Sequence, residues 1–231
     1  MAKKGKRYKK VAEKVQVDNF YELKDACKIV VETASAKFDE SVDVAIHLGV
    51  DPKKADQNLR GSVALPNGLG KTIRVAVMAK GEKAEEAKSA GADIVGVEDL
   101  VAMIQAGNLD FDSLIATPDM MVQVGKVGKI LGPRGLMPSP KIGTVTLNVG
   151  EAVKRIKAGV AEYKVNKDGA VQVSVGKASF GAQKIQENIE ALISALNRAK
   201  PQSSKGVYFK SMAMATTMGP GVRLNVAPLR Q

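Results

Sequence analysis

The pattern of apolar residues changes twice along this chain, near residues 67 and 159, and these changes constrain the fold more than any other feature. Between them, short apolar runs alternate with helical patterns of about ten residues, as in Thr72–Ala79 followed by Glu82–Ala90. Such alternation is typical of a parallel α/β sheet. The segments on either side have the mixed pattern of an α+β fold. The sequence therefore predicts two domains of different class.

The two flanking segments are predicted to form one domain together. The N-terminal flank offers one amphipathic helix, with an apolar stripe from Leu23 to Ala34, and one alternating strand, Ser41–Leu48. These two elements have too few partners to bury a core. The C-terminal flank supplies the rest: a hairpin around Asn166–Gly169, a helix that stops before Pro201, and strand-like runs at Val207–Thr217 and Val222–Ala227. We therefore expect a discontinuous α+β domain of residues 1–67 and 159–231, with an α/β domain of residues 68–158 inserted into it.

The charge of the chain indicates a polyanionic partner. Thirty-five Lys and Arg against 24 Asp and Glu give a formal net charge of +11. Residues 68–158 hold 12 basic and 10 acidic side chains, whereas the flanks hold 23 and 14, so the excess lies in the predicted discontinuous domain. Residues 1–14 alone carry seven basic side chains and one acid, as a basic arm would. Such a balance favours nucleic-acid binding, although a merely soluble, lysine-rich surface remains the alternative.

The composition excludes several other classes of protein. One Cys and one His leave no intrachain disulfide and no ordinary zinc site. Cys27 falls on the apolar helix stripe and is interpreted as a buried hydrophobe, and His47 has no second ligand near it in sequence. No apolar run is long enough to span a bilayer, and the basic N-terminus is no secretory signal, so we expect a cytoplasmic protein without membrane contact.

The sequence contains no complete catalytic or cofactor-binding motif. Asn67–Thr72 resembles the tail of a phosphate-binding loop, but Leu65 stands where that motif needs its first Gly, and a strand follows where a helix should. The inserted domain has no glycine-rich dinucleotide fingerprint after its first strand. A single His and no evident carboxylate pair provide no hydrolytic apparatus. We therefore expect a protein that is not an enzyme and that uses no cofactor, metal or small-molecule substrate.

Two short segments are unusual for a core. Lys37–Ser41 opens a predicted strand, and Ala215–Gly221 closes another. Each sets hydroxyl groups beside a flat or soft apolar side chain, and the second adds bare glycine backbone. Hydroxyls reach 2′-OH groups and phosphates, and glycine lets an RNA backbone approach closely. Spacing alone leaves this interpretation level with the alternative of two ordinary strand ends.

Several motifs together resemble one family, the bacterial form of the stalk protein of the large ribosomal subunit, the first in the large-subunit series. The resemblance covers essentially the whole chain. Its motifs are Lys37–Ser41 (KFDES), Asp56–Gly61 (DQNLRG), Leu65–Lys71 (LPNGLGK), Ala116–Asp119 (ATPD), Gly132–Pro138 (GPRGLMP), Gly176–Phe180 (GKASF) and Thr216–Pro220 (TTMGP). The two strings GPRGLMP and TTMGP are specific enough to make a chance match implausible.

The resemblance implies a fold and a set of RNA contacts. It implies an RNA-binding domain built from the terminal segments and an inserted Rossmann-like domain. The family's RNA contacts fall here on Lys37, Phe38, Ser41, Ser211, Thr216, Thr217, Met218 and Gly219. Some members have Thr where Ser41 stands, which keeps the hydroxyl.

The resemblance also implies a function. The chain would be a constituent of the large subunit that binds its rRNA, forms the mobile stalk beside the tRNA exit site, and assists release of deacylated tRNA. It would also repress translation of its own operon's mRNA. The rival hypotheses are a nucleotide-binding α/β enzyme and a pure protein-interaction scaffold.

The two chain crossings between the predicted domains are candidates for a hinge. Gly68 and Gly70 lie in the first crossing, and Gly159 lies in the second. Glycine absorbs changes of φ and ψ at little cost. We therefore expect these three residues to permit motion between the domains.

Overall fold

The computed structural model describes residues 5–16, 19–54 and 56–229, with the side chain of Leu229 left aside. The chain divides into two compact units, one of Met1–Gly70 with Ala161–Gln231 and the other of Lys71–Val160. The divisions thus fall at 70/71 and 160/161, where the sequence suggested 67/68 and 158/159. The class is mixed α/β.

In chain order the elements are α1 (Lys6–Ala12), β1 (Phe20–Tyr21), α2 (Leu23–Thr33), β2 (Ser41–Leu48), β3 (Arg60–Ala64), β4 (Val75–Met78), α3 (Glu82–Ser89), β5 (Ile94–Val95), α4 (Glu98–Gln105), β6 (Ser113–Ala116), α5 (Met121–Leu131), α6 (Val149–Gly159), β7 (Val160–Lys164), β8 (Ala170–Lys177), α7 (Gly181–Arg198), β9 (Phe209–Thr216) and β10 (Val222–Leu224). Single 3₁₀ turns at Pro118–Met120 and Ala178–Phe180 lead into α5 and α7.

The first unit is organised by a five-stranded sheet in the order β1-β10-β9-β2-β8. Strand β2 lies antiparallel between β8 and β9, so residues of the N-terminal flank pair on both sides with residues of the C-terminal flank. Along β2 the apolar residues Val42, Val44, Ile46 and Leu48 are buried, and the residues between them are exposed or half-buried. The predicted alternation of β2 is therefore confirmed.

One face of this sheet is covered by α2 and α7, which share its hydrophobic core. The stripe of α2 buries Ala26, Cys27 and Val30, as predicted. Helix α7 buries Ile185, Ile189, Leu192 and Leu196 against the same side, at the spacing of one helical face. Because both helices lie on one side, the odd-numbered residues of β2 face the other side, together with Ser211, Ala213 and Ala215 of β9.

The second unit has a parallel three-stranded sheet in the order β5-β4-β6. Strand β4 is central and buried on both faces. Its Ala76 and Met78 join the core formed with α4 and α5, while Val75 and Val77 join the core formed with α3 and α6. The prediction of a parallel sheet with intervening helices is therefore confirmed. Helices cover both faces of its central strand β4, as is usual for parallel sheets.

Some element bounds differ from the sequence-based expectation. Strand β9 begins at Phe209, two residues later than predicted, and β10 ends at Leu224 rather than Ala227. The turn at Asn166–Gly169 is present, with Gly169 at φ +77°, but the predicted hairpin is not formed. Strand β7 pairs with β3 and β8 pairs with β2, and among the described residues a single bridge between Val165 and Val171 joins the two ends of the turn. Within the described residues of the basic arm, α1 is helical and buries no residue. The first four residues of that arm lie outside the described part of the chain.

A buried asparagine ties the first crossing to α7. Asn188 is fully buried; its amide nitrogen donates to the carbonyls of Val175 and Gly68, at 2.8 and 3.0 Å, and its oxygen accepts the Asn67 N–H at 3.0 Å. Every polar atom of this side chain is thus paired, as a buried amide requires.

We predict that Asn188→Ala lowers the free energy of unfolding of the first unit by about 1–3 kcal/mol, because two carbonyls and one N–H that are fully or partly buried lose their partner. Urea unfolding measures this loss. Asn197→Ala on the exposed side of the same helix is the control and should change stability by less than about 0.5 kcal/mol. Equal effects of the two substitutions would contradict the role given to Asn188.

Candidate nucleic-acid interface

The two unusual sequence segments meet at one end of the five-stranded sheet. Ser41 begins β2, Thr216 ends β9, and Lys177 ends β8. Two hydrogen bonds join the segments: the Ser41 N–H donates to the Thr217 hydroxyl, and the Thr217 N–H donates to the Ser41 carbonyl, both at 3.0 Å. Residues 176 positions apart in sequence therefore form one surface, which we call the 41/217 end of the sheet.

A buried carboxylate holds this surface together. Glu40 is only 1% exposed. One of its oxygens accepts the N–H groups of Ser35 and Ala36 at 2.9 and 2.7 Å, and the other accepts the N–H of Met218 at 2.9 Å. Its backbone carbonyl accepts the N–H of Ala178 at 2.8 Å. One residue thereby connects three separate chain segments.

The electrostatics of Glu40 follow from these contacts. Burial on its own raises the pKa of the Glu40 carboxyl, but the N–H groups of Met218 and Ala36, the Thr216 hydroxyl and the N–H of Ser35 lower it by more. The net pKa is therefore below the ordinary glutamate value, and the carboxylate stays ionised near neutral pH.

Two apolar side chains project from the loops that Glu40 fixes. Phe38 is 55% exposed and Met218 is 47% exposed, although both are large hydrophobes. Lys37 is exposed beside Phe38. A flat ring and a soft thioether held at the surface beside a cation offer contacts to nucleobases and to phosphate.

Thr216 differs from the other predicted contact residues because it is 96% buried. Its hydroxyl lies close enough to Glu40 to lower the pKa of that carboxyl, yet it makes no hydrogen bond of regular geometry within the described residues. A Cβ at Gly219 would overlap this hydroxyl. The structure therefore gives Thr216 a supporting position under the turn, and the overlap explains why glycine stands at 219.

Ser211 lies on the same open face of the sheet but away from this end. It pairs with His47 in the register, six residues along β9 from Thr217. At about 3.3 Å per residue the separation is about 20 Å. Seven of the eight predicted residues therefore come together at the 41/217 end, and Ser211 marks the other end of the same strand.

The surface also includes three residues that the sequence did not predict as contacts: Lys177, Asp39 and Ser179. The Lys177 ammonium donates to the Ser41 hydroxyl at 2.9 Å and to the Asp39 carbonyl at 3.3 Å. The Ser179 hydroxyl donates to the Asp39 carboxylate at 2.7 Å. These contacts extend the surface to the start of α7. The GKASF motif carried the signal, but its place in the site depends on the pairing of β2 with β8.

The predicted hinge glycines all have positive φ. Gly68 and Gly70 lie at +67° and +68°, and Gly159 lies at +103° where α6 passes directly into β7. Gly68 is bonded to Asn188. A Cβ at Gly70 would come within 2.9 Å of the side chains of Lys177 and Phe180. An ion pair joins Lys71 to Asp112 within the second unit.

Among the described residues, no group of His, Cys, Asp and Glu has a geometry that could hold a metal ion. No described helix is both long and apolar enough to cross a membrane.

Comparison with known proteins gives consistent matches. Residues 30–220 match the model of the family described as "Ribosomal protein L1p/L10e family". A protein of Bdellovibrio bacteriovorus named "Large ribosomal subunit protein uL1" is 59% identical over 220 residues, which cover 95% of this chain and 94% of the relative. A protein of the same name from Nitrosomonas eutropha is 56% identical over 227 residues, which cover 98% of each chain.

We predict that Glu40→Gln lowers the free energy of unfolding at pH 7 by about 2–3 kcal/mol, because the new amide group turns a donor toward an N–H donor. The folded pKa of Glu40 is lowered, so the stability it provides is complete above the unfolded value of 4.5 and is lost as the pH falls through the folded pKa. The difference between wild type and variant, measured by urea unfolding, should therefore shrink in acid.

Glu32→Gln, an exposed change in α2, is the matched control and should leave stability nearly unchanged at both pH values. A wild-type advantage that stays constant from pH 7 into strong acid would count against the ionised carboxylate.

Proposed function

Because the chain belongs to the ribosomal protein L1p/L10e family, we propose that it is a structural constituent of the large ribosomal subunit in the cytoplasm and binds the rRNA of that subunit directly. The observation that carries the proposal is the 41/217 end of the sheet. There Phe38 and Met218 are exposed, hydroxyls line the strand ends, and Glu40 fixes the backbone beneath them. A rigid surface of this kind suits recognition of a folded RNA.

In the proposed mechanism, some residues recognise the shape of the RNA and others attract its charge. The hydroxyls of Ser41 and Thr217 would contact 2′-OH groups and phosphates, and the bare backbone at Gly219 would let the RNA chain approach. Lys37, Lys177 and the exposed cations of α1 would add attraction that does not depend on sequence. The first unit, with residues 1–67 and 159–231 as its predicted extent, would therefore be the RNA-binding domain.

A second partner is proposed for the other unit. In the mobile stalk beside the tRNA exit site, the inserted unit would contact exit-site tRNA and assist its release. Arg134 and Lys141 are exposed in the loop after α5, and Lys126 is exposed on α5 itself. These cations support contact with a tRNA backbone.

The chain is also proposed to repress translation of its own operon. A messenger segment that presents the same RNA shape would occupy the 41/217 end in place of rRNA. Because both RNAs would use one surface, they should compete.

The enzymatic alternative is set aside. The family is one of ribosomal structural proteins rather than enzymes, in agreement with the prediction that this chain is not an enzyme.

We predict that Met218→Asp weakens binding to a large-subunit rRNA transcript by at least about ten-fold, because it sets a carboxylate against phosphates. The free energy of unfolding should change by less than about 0.5 kcal/mol, since the side chain is half exposed and its N–H bond to Glu40 is kept. Filter binding at several salt concentrations, with the operon transcript as competitor, measures the affinity.

Leu147→Asp is the control, because Leu147 is 57% exposed and belongs to the second unit, outside the proposed RNA-binding domain. It should leave rRNA affinity nearly unchanged. Absence of salt-dependent rRNA binding by the wild type would refute the proposed function, and equal losses in the two variants would move the site away from Met218.

We further propose a hinge at the first crossing, near Gly70. Residues 67–70 are bonded to or packed on the first unit, and Lys71 is paired within the second. Alanine at Gly68 or Gly70 would be strained at positive φ. Gly159 would allow the backbone of the second crossing to change conformation when the first crossing bends.

We predict that Gly68→Ala with Gly70→Ala narrows or shifts the distribution of distances between a fluorescent label in each unit, measured by energy transfer. Gly135→Ala introduces the same backbone strain in the second unit, with open space around the new methyl group, and should leave the distribution unchanged. One sharp distance in the wild type, unaltered by either set of changes, would remove the hinge.

A further inference from the structure

The face of the five-stranded sheet opposite α2 and α7 carries small side chains. The register places Asp43 between Ser174 of β8 and Ala215 of β9, and it places Ala45 between Gln172 and Ala213 in the next row. Together with Gly221 these residues line a shallow hollow of about 400 Å³. A volume of this size falls within the range of small-ligand sites.

Asp43 is the one acid that the register puts on this face among the described strand residues. It is exposed, and its carboxylate makes no hydrogen bond or ion pair with any residue that the structure describes. Ser174, its neighbour on β8, turns its hydroxyl to the Val42 carbonyl instead. The carboxylate is therefore free to accept hydrogen bonds from a ligand.

The position of Asp43 ties it to the proposed RNA surface. It lies two residues along β2 from Ser41 and between the levels of Thr217 and Ser211 on β9. An RNA strand that contacts both Thr217 and Ser211 would pass over it. A carboxylate there repels phosphate, so its neighbour in the RNA must be a hydrogen-bond donor.

The donors of RNA differ in how well they fit a carboxylate. The Watson–Crick edge of guanine carries two adjacent donors, N1–H and the N2 amino group, which match the two carboxylate oxygens in a bidentate pair. The same edge of adenine, cytosine or uracil offers a single donor group with an acceptor directly beside it, and that acceptor would face the second carboxylate oxygen. Guanine is thus the base that this carboxylate distinguishes best.

The surroundings of Asp43 allow a base to lie there. Ala45, Ala213 and Ala215 project only methyl groups, so an unstacked base could rest flat on the sheet. Arg223, exposed in the row of Ala213, supplies a cation for a phosphate nearby.

We propose that Asp43, on the open face of the sheet, recognises an unpaired guanine of the bound RNA through a bidentate pair with the N1–H and N2 amino donors. The inference rests on the proposed function, because it concerns the same RNA. Asp43 would recognise the identity of a base, whereas the rest of the surface recognises the shape and charge of the RNA.

The test uses the full chain and the shortest large-subunit rRNA transcript that the wild type binds. Each unpaired guanosine is replaced singly by inosine, which lacks the N2 amino group. One such position should lower wild-type affinity by about ten-fold. The Asp43→Ala variant should bind the unmodified transcript less tightly than the wild type by a similar factor. Inosine at that position should not lower the affinity of the variant further. Asp25→Ala, at an exposed position of α2, is the control and should behave as wild type.

The outcomes separate the two proposals. If the wild type does not bind the transcript, the proposed function fails. If the wild type binds, either of two results would refute the guanine contact and leave the proposed function standing. The first is that Asp43→Ala binds the unmodified transcript as tightly as the wild type or more tightly. The second is that Asp43→Ala binds less tightly but still loses affinity on inosine replacement as the wild type does. Because Asp43 has no partner to lose among the described residues, unchanged thermal unfolding should show that the variant is folded.

Discussion

The fold of the first unit depends on the position of β2 between β8 and β9. Each edge of β2 pairs with a strand more than 120 residues later in the chain, so neither flank can form this sheet without the other. The same pairing brings Ser41, Lys177 and Thr217 to one end. The cost of closing such a large loop is met within the unit by the core that α2 and α7 share with the sheet.

Burial of the Glu40 carboxylate is stabilising only because several N–H groups surround it. An unpaired buried charge would cost several kcal/mol, whereas three N–H donors and a nearby hydroxyl favour the ionised form. The arrangement fixes the main chain under Phe38 and Met218 without occupying the surface itself. Their exposure is then a property of rigid backbone, which lowers the entropy that binding must remove.

The parts of the fold that the sequence predicted are those with strong local periodicity. Alternation over Ser41–Leu48 and the turn at Asn166–Gly169 depend on neighbours in sequence, and both are confirmed. Helix α1 and strand β1 were not predicted, because a basic run has no apolar stripe and a two-residue strand has no measurable period. Glu40 was also missed, since nothing in the KFDES string distinguishes this buried acid from Asp39, whose backbone and side chain lie at the surface.

The small side chains on the open face of the sheet favour selectivity for a ligand over affinity for it. Alanine at 45, 213 and 215 gives up the stacking energy that aromatic residues would supply, so the surface gains little from any base that merely lies on it. Binding would then depend on contacts that require a particular geometry, namely hydroxyls at both ends of β9 and a carboxylate between them. A ligand that lacks the matching donor would meet an unpaired charge. On this proposal the same surface would penalise a wrong RNA more than it rewards the right one, which would let a small, strongly basic protein be selective among many phosphate backbones.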